Sequence, residues 1–405
     1  MMIKMIDGGV TAAKGYLANG LHCGVRKNPG KKDLALIFSK VPAAAAGVYT
    51  TNLVKGAPIT VTKKHLENGV AQAVICNSGN ANTCNANGVE VAEKMAALAA
   101  DALNIKADDV IVGSTGVIGQ PLNLEPIANQ MDALVKGLSE NGHSAAEAIM
   151  TTDTVAKEVA VQFEIGGKTC TLGGIAKGSG MIHPNMATML VFLTTDCAIT
   201  APMLQKALSA DVQNTFNMTS VDGDTSTNDT VTIMANGLAG NDPITNEGEA
   251  FGIFMKALNT VTMDLCRRIA ADGEGATKLL ECKVSGAPDL SVAKTVAKSV
   301  ICSALVKSAM FGADANWGRV LCAIGYSGAQ VDVTKVDVHF VSKAGEILVC
   351  KDGAGVDFSE DLAKKILLEE EIEIVVSLHD GDACSTAWGC DLTYDYVKIN
   401  GDYRT

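Results

Sequence analysis

Aromatic residues are scarce, at 4% of a 405-residue chain in which 47% of residues are hydrophobic. A core so poor in Phe, Trp and Tyr must be filled by Ala, Val, Ile, Leu and Met, packed from small pieces to the usual interior density. Paired cysteines are missing as well. There are 12 cysteines but no CxxC, and the nearest neighbours are Cys76 with Cys84 and Cys384 with Cys390. The others stand singly, often in apolar settings such as VICNS, TDCAI and RVLCAIGY. This spacing argues against a disulfide framework or a zinc ribbon. It points to free thiols buried as small hydrophobes, and so to a reducing, cytoplasmic compartment. The six histidines form no HExxH and no i, i+4 pair, so no metal site is expected. No apolar run reaches the roughly 18 residues of a membrane span, and MMIKMIDGGVTAAKGYLANG has no apolar h-region of a secretory signal. Positive charge is in deficit: 33 Lys and Arg against 45 Asp and Glu give a net charge of −12. Phosphate backbones would repel such a chain, so nucleic acid is a poor expectation and small molecules a better one. Internal repeats and low-complexity segments are likewise missing.

Strand and helix patterns alternate along the chain. LALIFSKV and AQAVICNSG read as strands ending in polar loops, and VEVAEKMAALAADALN as a helix of good helix formers. DDVIVGSTGVIG predicts a strand running into a glycine-rich turn. TVAKEVAVQFEIGGKTCTLGGIAKGSG predicts a hairpin turning at Gly166-Gly167, and MLVFLTTDCAI a further strand. A helix is expected to open at Ala201-Pro202, where proline in the first turn removes no needed donor. Near the C-terminus, VDVTKVDVHFV and EIEIVVSLHDG alternate as half-buried strands, and Ser359 is placed to cap the helix in SEDLAKKILLEEE. The fold class is mixed α/β. VSGAPDLSVAK, around residues 284–294, is the expected boundary of a C-terminal α/β lobe at about 285–405.

Four stretches bear on chemistry. GSTGVIG, Gly113 to Gly119, lacks both the GxGxxG spacing and a GK[ST] ending, so a nucleotide cradle is a poor fit. A tight turn is the plain alternative. A third possibility is an oxyanion hole, in which the Gly116 N–H and the Thr115 hydroxyl donate to a developing negative oxygen. NSGNANTCNANG, Asn77 to Gly88, holds five asparagines and two glycines and is expected to be a packed irregular loop. DGDTSTNDT, Asp222 to Thr230, resembles the start of a calcium loop, but Met234 stands in the region where the closing glutamate belongs. A solvated or site-lining loop is expected instead. His183 has no carboxylate close in sequence to orient it and is given no catalytic role.

The fourth stretch is GSGMIHPNMATML, Gly178 to Leu190, a glycine-rich loop that delivers a lone threonine, Thr188, to the start of a buried strand. A threonine hydroxyl is a weak nucleophile that needs a base beside it. Cutting the chain between Ala187 and Thr188 would supply one. The freed α-amine has a reference pKa of roughly 7.7–8.0, near the working pH. The cut requires attack on the preceding carbonyl, which a small residue such as Ala187 permits, and Gly178, Gly180 and Pro184 suit a strained loop. Read from the residues alone, a plain loop-to-strand junction remains the commoner alternative.

The same residues resemble a family. KGSGMIHPNMATML looks like the processing signature of the ornithine acetyltransferases, the ArgJ family. NSGNANTC, GSTGVIG, TTDT, DGEGATK and ANWGR look like further blocks in the same order, and the similarity extends to the final NGDYRT. The resemblance implies a self-processing N-terminal-threonine enzyme, a layered α/β sandwich (ArgJ/DmpA-like) with smaller α/β lobes. The chain would divide into an alpha chain, 1–187, and a beta chain, 188–405, that begins at the nucleophile Thr188. That threonine would take acetyl from N2-acetyl-L-ornithine and pass it to L-glutamate, as a glutamate N-acetyltransferase of the cyclic arginine pathway. The family's oxyanion hole falls on Thr115 and Gly116. Its substrate contacts fall on Thr154, Lys177, Thr188, Glu274, Asn400 and Thr405. No metal, nucleotide or other cofactor is implied for the ornithine-dependent reaction. Some relatives also accept acetyl-CoA and others do not, and no residue here decides between them. The resemblance also implies a cytoplasmic heterotetramer of two alpha and two beta chains. One rival is a self-processing aminopeptidase or amidohydrolase of the same fold, passing the acyl group to water. The other is a non-enzymatic small-molecule binding protein that stays one chain.

Overall fold

The computed structural model describes residues 3–183 and 189–402. The described chain forms two compact units. Among the described residues, the first comprises 3–178, 189–216 and 225–265, and the second 179–183, 217–224 and 266–402.

The first unit is organised by a nine-stranded sheet. From one edge its strands run Lys4–Ile6, Lys157–Ile165, Lys168–Lys177, Leu190–Thr195, Thr230–Ala235, Leu34–Tyr49, Val70–Asn77 and Val110–Ser114, and Tyr16–Leu21 also pairs with Leu34–Tyr49. The expected hairpin forms between Lys157–Ile165 and Lys168–Lys177, with positive φ at both Gly166 and Gly167. Two consecutive positive φ values match the twist of the flanking strands, and glycine adopts them without strain. The strand seen in LALIFSKV is longer than the motif. It runs on to Tyr49 through a register shift between Phe38 and Ala43, where Pro42 cannot donate to the ladder. One face of the sheet carries a core of Ile37, Val74, Cys76, Ile111, Ile175, Leu190 and Phe192. The other packs Leu36, Ile75 and Val112 against the helices Gly88–Leu103 and Glu125–Lys136 through Val91, Met95, Ala99, Ile127 and Leu134. Alanine at Ala92, Ala96, Ala99 and Ala100 lets the first of these helices approach closely, which is how an aromatic-poor core closes.

The second unit has a seven-stranded sheet in the order Ala354–Gly355, Gly345–Lys351, Asp337–Ser342, Glu371–Ser377, Leu279–Ala287, Ala383–Cys390 and Thr219–Ser220. Ser359 caps the helix Glu360–Leu367 as expected, its side chain accepting from the Leu362 N–H. VDVTKVDVHFV does not form one long strand. Asp332 accepts from the Thr334 N–H and holds Val333–Lys335 in a 3-10 turn, so pairing begins only at Asp337. Local side-chain-to-backbone bonding has outcompeted the ladder there. The stretch 284–294 leads from the strand Leu279–Ala287 into the helix Leu290–Cys302, inside the second unit. All 12 cysteines are free. Among the described residues, no helix is long and apolar enough to cross a membrane.

Candidate active site

In the first unit the strand Leu190–Thr195 is buried at every residue. Leu190 is flanked by Lys177 on one neighbouring strand and Thr230 on the other, so the chain emerging from the GSGMIHPNMAT loop enters the sheet beside both. Ala187 and Thr188, and Thr405 at the far end, lie outside the described residues.

Lys177 ends its strand with 7% of its surface exposed. A lysine so enclosed requires compensating groups. Asp153 supplies one: its Oδ1 accepts from the Lys157 Nζ and from the Gly178 N–H, both at 2.7 Å. Burial alone would raise the Asp153 pKa. The charges of Lys157 and Lys177, with these hydrogen bonds, overcome it and hold the carboxyl at about 2. Thr154, next along, is exposed. Lys177 also lies near enough to act on Cys76, which burial nonetheless pushes up to about 12. Cys76 pairs across the sheet with Gly113, the first residue of GSTGVIG.

Thr115 and Gly116 follow the strand Val110–Ser114 and are partly exposed. Gly116 has φ +126°, and a Cβ there would meet the Gly79 carbonyl carbon at 2.6 Å and the Asn80 nitrogen at 2.8 Å. Only glycine fits such a backbone packed so closely on another. The partner is NSGNANTCNANG, which is the packed loop expected. Its Asn77 side chain accepts from the Gly79 and Asn80 N–H groups and donates to the Ser114 hydroxyl. DGDTSTNDT packs against the same turn through Asn228, whose Nδ2 donates to Ser114 O at 2.9 Å. Lys177 closes the strand Lys168–Lys177, Thr154 precedes the strand Lys157–Ile165, and Thr115 and Gly116 follow Val110–Ser114, all within the first unit.

In the second unit, Glu274 is 7% exposed and its Oε2 accepts from the Asn400 Nδ2 at 2.7 Å. The Glu274 N–H donates to Ser179 O, and a Cβ on Gly180 would sit 2.3 Å from the Glu274 carboxyl carbon, so Gly180 lets the loop lie against this carboxylate. Asp222 accepts from the Met181 and Ile182 N–H groups, fixing the loop from its other side. His183 lies 3.1 Å from the Ser220 Oγ and 3.5 Å from the Cys302 Sγ. Burial, with the Lys298 charge, pulls its pKa down to about 4. Among the described residues, no group of three or more His, Cys, Asp or Glu is arranged to hold a metal. Two contributors escaped the sequence reasoning. Asp153 stood inside the quoted TTDT, and its i, i+4 spacing to Lys157 was the available signal. Asp222 reads in sequence only as part of an acidic run.

A tight glycine turn and a buried lysine in the first unit, and a buried carboxylate in the second, are carried on a mixed α/β scaffold of two sheets. Comparison with known proteins narrows this class to one family. Residues 17–405 match the ArgJ family model, and the chain belongs to that family. It is 52% identical over 406 residues to the arginine biosynthesis bifunctional protein ArgJ of Symbiobacterium thermophilum, covering 100% of both chains. It is 50% identical to the protein of the same name from Caldanaerobacter subterraneus subsp. tengcongensis, again over 100% of both. Among solved structures, the arginine biosynthesis bifunctional protein ArgJ of Bacillus halodurans is similar at 49% identity with a TM-score of 0.50, over 52% of this chain and 97% of that one.

Proposed function

We propose that this chain is a self-processing glutamate N-acetyltransferase of arginine biosynthesis. The Thr188 hydroxyl attacks the Ala187 carbonyl, and hydrolysis of the resulting ester leaves an alpha chain, 1–187, and a beta chain starting at Thr188. In turnover the Thr188 Oγ attacks the acetyl carbonyl of N2-acetyl-L-ornithine, while its own α-amine accepts the hydroxyl proton. Negative charge collects on the former carbonyl oxygen, and the Gly116 N–H and Thr115 hydroxyl donate to it. The C–N bond breaks, ornithine leaves with the proton, and an acetyl-threonyl ester remains. Glutamate then attacks the ester through its amine, and N-acetylglutamate departs. Donor and acceptor each carry an α-carboxylate, which Lys177 binds beside Thr154. Glu274, held by Asn400, faces the cationic end of the ornithine donor, and Thr405 closes the site. No cofactor enters these steps.

The observation that carries this reading is the Thr115–Gly116 turn, whose positive φ and packing on Gly79–Asn80 leave room for glycine alone. The extent of the structural match also supports the cut. The solved relative's chain corresponds to 52% of this one, and residues 188–405 are 218 of the 405. The relatives are named bifunctional, so acetyl-CoA is carried forward as a second acetyl donor; an assay with acetyl-CoA and glutamate, omitting acetylornithine, tests it. The processed chains assemble as two alpha and two beta in the cytoplasm, which light scattering of the purified protein checks.

Mass spectrometry and a denaturing gel test the central reading. Purified active protein should show two fragments divided before Thr188, with acetyl on that threonine after exposure to donor. Thr188→Ala should give one uncut, inactive chain of 41.9 kDa. An intact chain in fully active material would overturn the proposal. Acetate release outrunning acetylglutamate formation would favour the aminopeptidase-like rival.

A further inference from the structure

We infer that Asn228 is a positioning residue for the oxyanion-hole turn, an inference that rests on the acyl-transfer role of Thr115 and Gly116 given above. Asn228 lies in DGDTSTNDT, 7% exposed. Its Nδ2 donates to Ala81 O at 2.6 Å and to Ser114 O at 2.9 Å. Its Oδ1 accepts from the Thr83 Oγ1 and the Thr227 Oγ1, both at 2.6 Å. The orientation follows from the partners: two backbone carbonyls only accept, so the NH2 end must face them. The amide is fully used, with two donors and two acceptor positions all engaged. It also lies close against the Gly56 backbone, where a Cβ would meet the Asn228 Nδ2 at 2.5 Å.

Each partner of this side chain holds a different point of the turn. Ser114 O belongs to the peptide that enters the turn, and the N–H of that same peptide, on Thr115, donates to Asn77 O at 2.9 Å. Ala81 donates its own N–H to Val117 O, the middle of the turn, at 3.0 Å. Thr83 accepts on its carbonyl from the Gly119 N–H at the exit, also at 3.0 Å. One neutral amide therefore reaches the entrance, middle and exit of residues 115–119. A surface turn has little repeating backbone pairing of its own and is mobile by default. An oxyanion hole works only if its donors are already aimed when charge develops. Asn228 supplies that fixity and does not touch the reacting atoms.

The test compares Asn228→Ala with Thr115→Val, with activity expressed per processed chain so that slower self-cleavage is counted separately. For Asn228→Ala we expect kcat to fall about 10²-fold, the scale of a small misplacement of catalytic groups, with KM for acetylornithine within about twofold. Amide hydrogen exchange at residues 115–119 should quicken while exchange in the strand Leu190–Thr195 stays protected. Thr83→Val, which leaves the backbone contacts in place, should give a smaller loss of kcat in the same direction and serves if Asn228→Ala does not fold. Unchanged kcat in folded Asn228→Ala or, should that variant not fold, in Thr83→Val, alongside a large loss in Thr115→Val, would overturn the positioning role alone. Unchanged kcat in Thr115→Val would remove the Thr115 hydroxyl from the hole, and unchanged kcat in Gly116→Ala as well would overturn the hole itself.

Discussion

The two units hold their polar groups in opposite ways. Around the Thr115–Gly116 turn the first unit uses neutral amides, hydroxyls and backbone groups, with the valences of Asn77 and Asn228 taken up inside the protein. The second unit offers a charged carboxylate, Glu274, with one neutral amide bonded to it. The contrast fits the two tasks proposed for these regions. A hole for a transient oxyanion needs donors that do not move, and saturating their neighbours fixes them. A contact for a stably charged ligand needs an ion that keeps acceptor capacity for that ligand. Lys177 falls between these cases, a buried cation whose neighbours Asp153 and Lys157 form an ion pair at 2.7 Å.

The largest effect is expected where that ion pair is broken. Asp153 and Lys157 both have fully buried side chains. Removing one partner leaves a charge in a poor solvent, so Lys157→Met should lower unfolding stability by about 3–5 kcal/mol, read by chemical denaturation. The double variant Lys157→Met/Asp153→Leu should recover only a part of this, because Asp153 also offsets the buried Lys177. A double variant less stable than the single would show that hydrogen bonds to Asp153, and not its charge, dominate. The pH dependence has a definite sign. The folded Asp153 pKa, about 2, lies below its ordinary 3.8. Its stabilisation is therefore complete above pH 4 and lost as pH falls from 4 towards 2.

Next is Gly116→Ala. The substitution combines an unfavourable positive φ with a Cβ inside contact distance of Gly79 and Asn80. The donors shift, and kcat per processed chain should drop about 10²–10³-fold, the range for losing one oxyanion donor. A drop in KM with kcat intact would place Gly116 outside the reaction. Much of this was legible beforehand. GSTGVIG reads as a glycine-dependent tight turn, Gly166-Gly167 as a hairpin and Ser359 as a cap, because each depends on residues within a few positions of one another. The convergence of NSGNANTCNANG and DGDTSTNDT on that turn was not legible. Asn228 and Ser114 are 114 residues apart, and a fully engaged asparagine looks in sequence like any other loop residue. VDVTKVDVHFV failed for the reverse reason: alternation promised a strand, and the Asp332 carboxylate, accepting from both the N–H and the hydroxyl of Thr334, redirected its first half.

Glu274→Gln probes the charged side of the comparison. The Asn400 Nδ2 keeps an acceptor at position 274, so the loop is preserved while the charge is removed. KM for acetylornithine, whose side chain ends in an ammonium, should rise about tenfold, equivalent to about 1.4 kcal/mol, and KM for glutamate should hardly change. The difference should narrow at high salt as the ion–ion contact is screened. Equal changes in both KM values would assign Glu274 to general architecture.

The smallest effect concerns His183 and separates architecture from chemistry in the loop that holds it. Its folded pKa of about 4 lies below the ordinary 6.5 because burial and Lys298 disfavour the cation. The folded state thus holds His183 neutral while the unfolded chain binds a proton below pH 6.5. Stability is fully present above pH 6.5 and declines as pH falls through 6.5 to 4. The side chain is partly exposed, so after discounting for solvent screening the loss is roughly 1 kcal/mol. His183→Gln, which cannot take up a proton, should flatten the stability curve between pH 4 and 6.5 while leaving acetyl transfer at pH 8 near the wild-type rate. If the variant instead lost turnover at pH 8 with its stability intact, the imidazole would belong to the reaction, and the division between a neutral, fixed hole and a charged recognition loop would have to be redrawn around it.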